Sequence, residues 1–168
     1  MCRSAEAFVR SALLLLLAAA APVGGGVLAG EDALSRWEEA RERFRRAGKM
    51  IAEEDDIAAG RFLEVVGRKL PALYGEMARG YRRRLAAIAR MTGGGSTYRR
   101  KAERGRLCAR MGCWEQALEL ARGAVEENVK DPEKCRELAA WCLLELGRAD
   151  DVIGEVSSGA AGKNGAAP

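Results

Sequence analysis

The sequence predicts an all-α protein built from antiparallel helical hairpins. Alanine, leucine, glutamate and arginine dominate the chain, while aromatic residues make up only 5% of its 168 residues, and this balance favours helices over sheets. Apolar residues also recur every three or four positions, as they do along one side of an amphipathic helix. Similar stretches follow Gly112 and Gly147, 35 positions apart, which indicates that one helical hairpin is repeated.

Residues 1–29 are predicted to be a signal peptide. Arg3 and Arg10 give it a positive start, an uncharged stretch rich in leucine and alanine follows, and small residues up to Ala29 suit cleavage. We therefore expect the mature chain to be exported, either periplasmic or secreted. An uncleaved membrane anchor is the alternative, because residues 11–30 are uncharged and about long enough to cross a bilayer.

Residues 30–92 are predicted to form three helices. The first covers 32–54, and the acidic residues around its end suit the start of the second helix. Pro71 ends the second helix and begins the third, because proline lacks a backbone N–H and is tolerated in a first turn. The second helix is predicted to bury Ile57, Phe62, Leu63, Val66 and Leu70, and the third is predicted to carry Leu73, Tyr74, Met77, Tyr81, Leu85 and Ile88 on one face.

A glycine-rich linker at 93–97 separates this region from two helical hairpins over 98–156. Their helices are predicted at 98–111, 114–128, 132–146 and 149–156. The tail at 157–168 is rich in glycine, alanine and serine and lacks periodic apolar residues, so it is predicted to be disordered.

The second helix of the first hairpin carries the most informative spacing. Ala117 occupies a small-residue position with Ala121 four residues later, Trp114 stands three residues before Ala117, and Pro132 ends the unit. With these residues, 98–156 resembles the tetratricopeptide repeat family, in degenerate form. The resemblance implies hairpins stacked as a short superhelix, and 30–92 is interpreted as weaker hairpins of the same kind. An ordinary helical bundle is the alternative.

The resemblance also implies a mode of binding. In the tetratricopeptide family the first helices of the hairpins line a concave groove, and a protein or peptide partner lies in that groove. In this chain the side chains that would face it are Arg99, Arg106, Arg110, Lys134 and Trp141. We therefore expect a non-catalytic scaffold that binds a protein or peptide. These helices lack the asparagine with which the family holds a C-terminal carboxylate, so that ligand is not implied.

The distribution of charge suggests a second function. Residues 79–110 hold ten arginines and one lysine against the single acid Glu103, a net charge of +10, and we call this stretch the basic segment. Residues 111–155, the acidic segment, carry a net charge of −6. Clustered cations attract polyanions, so the alternative function is electrostatic binding to nucleic acid, lipid headgroups or an acidic polymer. The other interpretation is that the basic segment pairs with the acidic end of its own chain or of a second copy.

The residue content argues against catalysis. The chain contains no histidine, so a serine or cysteine nucleophile would lack its usual base. The glycine run at 93–95 lacks the Lys-Ser/Thr ending of a phosphate-binding loop. We therefore expect no enzymatic activity, no cofactor and no small-molecule substrate.

Four cysteines remain once the signal peptide is removed: Cys108, Cys113, Cys135 and Cys142. Their spacings lack the short C-x-x-C pairs of structural zinc sites, so no metal site is expected. In the repeat register Cys108 and Cys142 lie at similar heights on adjacent first helices, and in an exported chain they are predicted to form a disulfide. Cys113 is the other candidate partner of Cys142, and buried free thiols are the alternative to any disulfide.

Overall fold

The structure is a computed structural model that describes residues 26–92, 96–127 and 132–161. Within these ranges the chain forms seven helices and no strand, so the predicted all-α class is confirmed. The helices are α1 (Gly26–Ala52), α2 (Asp56–Lys69), α3 (Ala72–Ala89), α4 (Ser96–Arg110), α5 (Trp114–Glu126), α6 (Pro132–Glu145) and α7 (Ala149–Ala161). None of the described helices is long and apolar enough to span a membrane.

The chain divides into two compact units, Met1–Arg41 and Glu42–Pro168. In the first unit the described residues all belong to α1, which begins six residues before the predicted position 32 because no proline interrupts the chain there. The predicted signal peptide lies almost entirely outside the described residues. The predicted division into a signal peptide, a helical region, a linker and two hairpins stays a prediction.

Helices α2 and α3 form a hairpin whose ends follow from local chemistry. The side chain of Asp55 accepts a hydrogen bond of 3.0 Å from the backbone N–H of Ala58, which caps α2. Pro71 separates the two helices, as predicted. A Cβ atom added to Gly75 would lie 2.8 Å from the carbonyl oxygen of Gly67, so the helices approach closely there only because position 75 is glycine.

This close approach changes which side chains are buried. Small residues occupy much of the interface, and the buried positions are Ala59, Leu63 and Val66 in α2 and Gly75, Ala78, Leu85 and Ile88 in α3. Ile57 is 70% exposed, so its predicted burial was wrong, and Leu73, on the predicted apolar face of α3, is 68% exposed. Both lie in the first turns of their helices. Small residues form the contact between α2 and α3, so the larger side chains of Ile57 and Leu73 stay exposed to solvent.

Gly112 and Gly147 end α4 and α6 with the same type of turn. Gly112 and Gly147 have φ angles of 75° and 73°, the left-handed region in which glycine is least strained. At the first turn, the N–H groups of Gly112 and Cys113 donate to the carbonyls of Ala109 and Cys108. The N–H groups at 147 and 148 donate to the carbonyls at 144 and 143 in the same pattern, so each helix ends in a Schellman motif.

Helices α4 to α7 pack in chain order, and α4 also contacts α6 directly. Gly105 allows this arrangement, because a Cβ atom at position 105 would lie 3.3 Å from both the Ala117 carbonyl oxygen of α5 and the Leu138 Cδ2 of α6. The boundaries of α4 to α7 agree with the predicted ones to within two residues except at the C-terminal end of α7. There α7 continues to Ala161, so 157–161 are helical where a disordered tail was predicted, and 162–168 lie outside the described residues.

The last eleven residues of α1, 42–52, pack against three other helices of their unit. The ring of Phe44 meets Tyr81 of α3 edge to face at 5.2 Å, and the guanidinium of Arg46 lies 5.4 Å from the ring centroid of Phe62 in α2. The Cys108 thiol of α4 donates to the carbonyl oxygen of Gly48 at 3.3 Å. This part of α1 is therefore built into the core.

Candidate partner-binding surfaces

A pocket of about 110 Å³ opens between α3 and α4, and we call it the α3–α4 pocket. Its lining consists of Arg84, Ala87 and Ile88 from α3, Met91 just after that helix, and Glu103, Arg106, Leu107 and Arg110 from α4. Ile88 and Leu107 are buried and form an apolar floor, while Arg84 and Arg110 are exposed at the rim. A pocket with an apolar floor and arginines at its rim suits a ligand that has an apolar group next to an anionic group.

Helical spacing and one cross-helix hydrogen bond position these side chains. Positions 103, 106 and 110 recur at three and four residues, so they share one side of α4. The Tyr81 hydroxyl donates to the Arg110 carbonyl oxygen at 3.0 Å, which fixes the last turn of α4 against α3. Burial raises the pKa of Tyr81, which further favours the protonated phenol that donates this bond.

Much of the charge of the basic segment is neutralised within the chain. The ion pairs are Arg79–Glu76 at 2.6 Å, Arg82–Glu64 at 3.1 Å, Lys101–Glu127 and Arg106–Glu103, together with the pairs of Arg104. Of these acids only Glu127 belongs to the acidic segment. In the described part of the basic segment, Arg83, Arg84, Arg90, Arg99 and Arg110 have no carboxylate within ion-pair distance, so these cations are left available to a partner.

Arg104 has a structural role. Its side chain is 8% exposed, and its guanidinium donates to Glu54 Oε1 at 3.0 Å and to Asp56 Oδ2 at 2.6 Å. These bonds join α4 to the turn between α1 and α2. Arg104 Nε and Asp56 Oδ1 are buried without a hydrogen-bond partner in the described part of the chain, so the cluster depends on the two bonds that are made.

The five predicted partner-binding residues do not all lie together. Arg106 and Arg110 line the α3–α4 pocket, and Arg99 is exposed in the first turns of α4 with its guanidinium 5.9 Å from the Tyr98 ring centroid. Lys134 and Trp141 lie on α6 and are exposed. The pocket also uses Arg84, which the sequence reasoning missed, because the pairing of α3 with α4 across the glycine linker has no spacing signal.

Trp141 belongs to an exposed apolar surface. Trp141 is 56% exposed and Leu144, one turn further along α6, is 53% exposed. The Trp114 ring at the start of α5 lies 6.1 Å from the Trp141 ring, tilted by 37°, and the Trp141 indole N–H donates to Glu145 Oε1 at 3.1 Å. We call Trp114, Trp141 and Leu144 the Trp141 surface.

The cysteines lie in the core. Cys108, Cys113, Cys135 and Cys142 are buried free thiols in this structure. Burial raises the pKa of Cys108 to about 12, and the pKa values of Cys113 and Cys142 to about 11, so these three stay protonated at neutral pH. The predicted Cys108–Cys142 disulfide stays a prediction for the oxidised chain. The described residues contain no cluster of three or more metal-ligating side chains.

Comparison with protein-family models, with curated proteins and with solved structures found no match to this chain. The resemblance to tetratricopeptide repeats therefore stays a prediction.

Proposed function

We propose that the protein is a non-catalytic scaffold that binds another protein or peptide. The observation that carries this proposal is the Trp141 surface, where a tryptophan and a leucine on α6 are each more than half exposed. Burying such residues in a partner complex removes apolar area from water, and tryptophan is enriched among residues that dominate binding energy. An exposed apolar cluster of this kind is typical of a protein interaction site.

The chemistry of the described residues supports a binding role over a catalytic one. The sequence has no histidine, and burial raises the pKa values of three of the cysteines, which disfavours the thiolate form that acts as a nucleophile. The Cys113 thiol also donates a hydrogen bond within the core, to the Arg45 carbonyl oxygen at 3.0 Å.

The partner can be captured by crosslinking the full chain in its native cells, followed by purification and identification. Trp141→Ala should reduce recovery of the specific partner at least about tenfold, because loss of a central tryptophan removes 2 kcal/mol or more. Leu73→Ala is the matched control, since Leu73 is an exposed apolar residue on a different helix. Equal recovery with Trp141→Ala and Leu73→Ala would refute the proposal.

The finer fold proposal is a short superhelix similar to tetratricopeptide repeats. Two observations support it: α4 and α6, the first helices of successive hairpins, contact each other, and both end in the same glycine turn. An experimental structure tests it directly. If α2 and α3 do not stack on α4 and α5 with the rotation that relates α4 and α5 to α6 and α7, the region is a helical bundle instead.

A second candidate function is electrostatic binding to an anionic surface or polymer through the basic segment. It is favoured by Arg84, Arg90 and Arg110, which have no ion-pair partner among the described residues. Binding to vesicles of anionic lipid, or to nucleic acid, should weaken steeply as salt rises and should fall with Arg90→Glu. Arg61→Glu, at an exposed position on α2, is the control. Binding that is equally weakened by both changes would reflect net charge alone and would exclude a dedicated site.

Export to the periplasm or the medium is the proposed location. The proposal rests on the composition of residues 1–29. The N-terminal sequence of the protein purified from its own cells tests it, since cleavage leaves a chain that begins near Gly30. Thiol counting under denaturing conditions without reductant adds a second test, because the proposed Cys108–Cys142 disulfide leaves two of the four core thiols titratable.

A further inference from the structure

We propose that copies of this chain associate head to tail, with the exposed face of α7 in one copy docked on the α3–α4 pocket of the next. The contact is formed by Ile153, which enters the pocket, and by Asp150, which pairs with the arginines at its rim. We call Asp150 and Ile153 the α7 knob. The Trp141 surface takes no part, so this inference and the proposed function fail independently.

Both residues of the α7 knob are exposed to solvent on one side of the helix. Ile153 is 73% exposed, the most exposed large apolar residue of the described chain. Asp150 lies three residues earlier and is exposed on the same side of the helix. A Cβ atom added to Gly154 would meet nothing within 4 Å, so no other described segment covers this face of α7.

The α3–α4 pocket has the size for one such side chain. A cavity of roughly 150 Å³ can hold a benzene molecule, so a pocket of about 110 Å³ can hold the terminal carbon atoms of an isoleucine side chain. The floor is apolar, and Arg106 is already paired with Glu103. The two rim cations without a partner, Arg84 and Arg110, are therefore the groups that an incoming carboxylate would meet.

Charge complementarity identifies the occupant as a second copy. The pocket lies in the basic segment, whose charge is partly neutralised within the chain, and Arg84 and Arg110 at its rim have no ion pair among the described residues. Helix α7 begins in the acidic segment. Asp151 is already paired with Arg148 at 2.7 Å, whereas Asp150 has no ion pair among the described residues. Opposite charges on the pocket and on α7 attract two copies in the orientation that brings these surfaces together. Two pockets, or two copies of α7, carry like charges and repel each other.

The two surfaces are different, so the contact is heterologous. Each copy has one pocket and one knob, and the same contact can therefore be repeated from copy to copy. Association of this kind gives open chains or closed rings whose mean length rises with concentration. A dimer formed by one surface paired with itself would stop at two copies.

The experiment is sedimentation velocity on the mature chain and on two variants that remove opposite sides of the contact. The pocket variant is Arg84→Glu with Arg110→Glu, and the knob variant is Ile153→Asp. Wild type should form species larger than a monomer as concentration rises, and added salt should weaken them. Each variant alone should be monomeric, with a dissociation constant raised at least about tenfold over wild type.

An equimolar mixture of the two variants is the decisive sample. The pocket variant still presents Ile153, and the knob variant still has an intact pocket, so the mixture should form a 1:1 complex and no longer chains. Arg61→Glu with Arg83→Glu reproduces the charge change outside the pocket, and Ile57→Asp reproduces the apolar change on α2. Both controls should associate as wild type does, and helical circular dichroism should be unchanged throughout.

The proposal is overturned by a wild-type chain that stays monomeric, by variants that associate as wild type does, or by a mixture that stays monomeric. Binding of an acidic peptide or of nucleic acid to the pocket of a monomeric chain would also overturn it, since the occupant would then be another molecule.

Discussion

The guanidinium of Arg104 lies 2.6 Å from the Asp56 carboxylate and holds α4 against the turn that joins α1 to α2. The bond spans 48 positions of the chain, and Arg104 is the one buried charged residue in the described core. It provides the first prediction.

Arg104→Ala should destabilise the protein by about 2 to 4 kcal/mol. Breaking a fully buried pair costs about 3 to 5 kcal/mol, and the loss is smaller here because Glu54 is largely exposed. Urea unfolding monitored by circular dichroism measures the change. Arg79→Ala is the control, because it removes an exposed pair with Glu76, and its free energy of unfolding should match wild type. Equal stabilities for both variants would contradict the structural role.

Gly48→Ala should destabilise the protein by about 1 to 3 kcal/mol, although alanine is normally the better helix former. A Cβ atom at position 48 would lie 2.5 Å from the Cys113 Sγ atom, so α1 or the thiol must move. Gly60→Ala is the matched control within a helix, since a Cβ atom there meets nothing within 4 Å. It should stabilise the protein by about 0.5 to 1 kcal/mol. Thermal unfolding of both variants checks the opposite signs.

Gly112→Ala and Gly147→Ala should each cost about 1 to 2 kcal/mol, because alanine is strained at the positive φ of the Schellman turn. The two losses should be similar, since the hydrogen bonds of the two turns are the same. Replacement by asparagine should recover part of the loss, because asparagine tolerates the left-handed region better. Alanine variants as stable as wild type would show that the turns adopt another conformation.

Alkaline pH should destabilise the reduced protein through its thiols. Burial raises the pKa of Cys108 from 9.0 to about 12, so the unfolded chain loses this proton first as pH rises. The stabilising contribution is complete below pH 9 and is lost between pH 9 and the folded pKa, at about 1.4 kcal/mol per pH unit for each such thiol. Cys108→Ala should remove the contribution of one thiol from this slope, which is measured from the free energy of unfolding at several alkaline pH values. An unchanged slope would mean that Cys108 titrates normally in the folded chain.

The sequence predicts the later helices well because their ends are marked by residues with fixed conformational demands. Gly112, Pro132 and Gly147 stop or start helices for local reasons, and the boundaries of α4 to α6 lie within two residues of the predicted ones. Local reasons also explain the role of Pro71.

Contacts between distant elements could not be predicted in the same way. Arg104 has the spacing of a surface residue, yet its partners lie about 50 positions away in the turn after α1. The α3–α4 pocket combines Arg84 with Arg110 across the glycine run, and nothing in the periodicity of either helix indicates which sides will meet. Ile57 shows the same limit, because helical spacing identifies an apolar side chain without fixing the rotation of the helix.

The matching turns at Gly112 and Gly147 also constrain how this chain can evolve. Neither glycine has to touch a partner, yet almost any side chain there carries a conformational cost that the folded hairpin must absorb. Drift at these two sites should therefore be slow in descendants of the same ancestor, even if the interaction surfaces diverge. Insertions should accumulate elsewhere, because lengthening either turn would remove the hydrogen bonds that end the preceding helix.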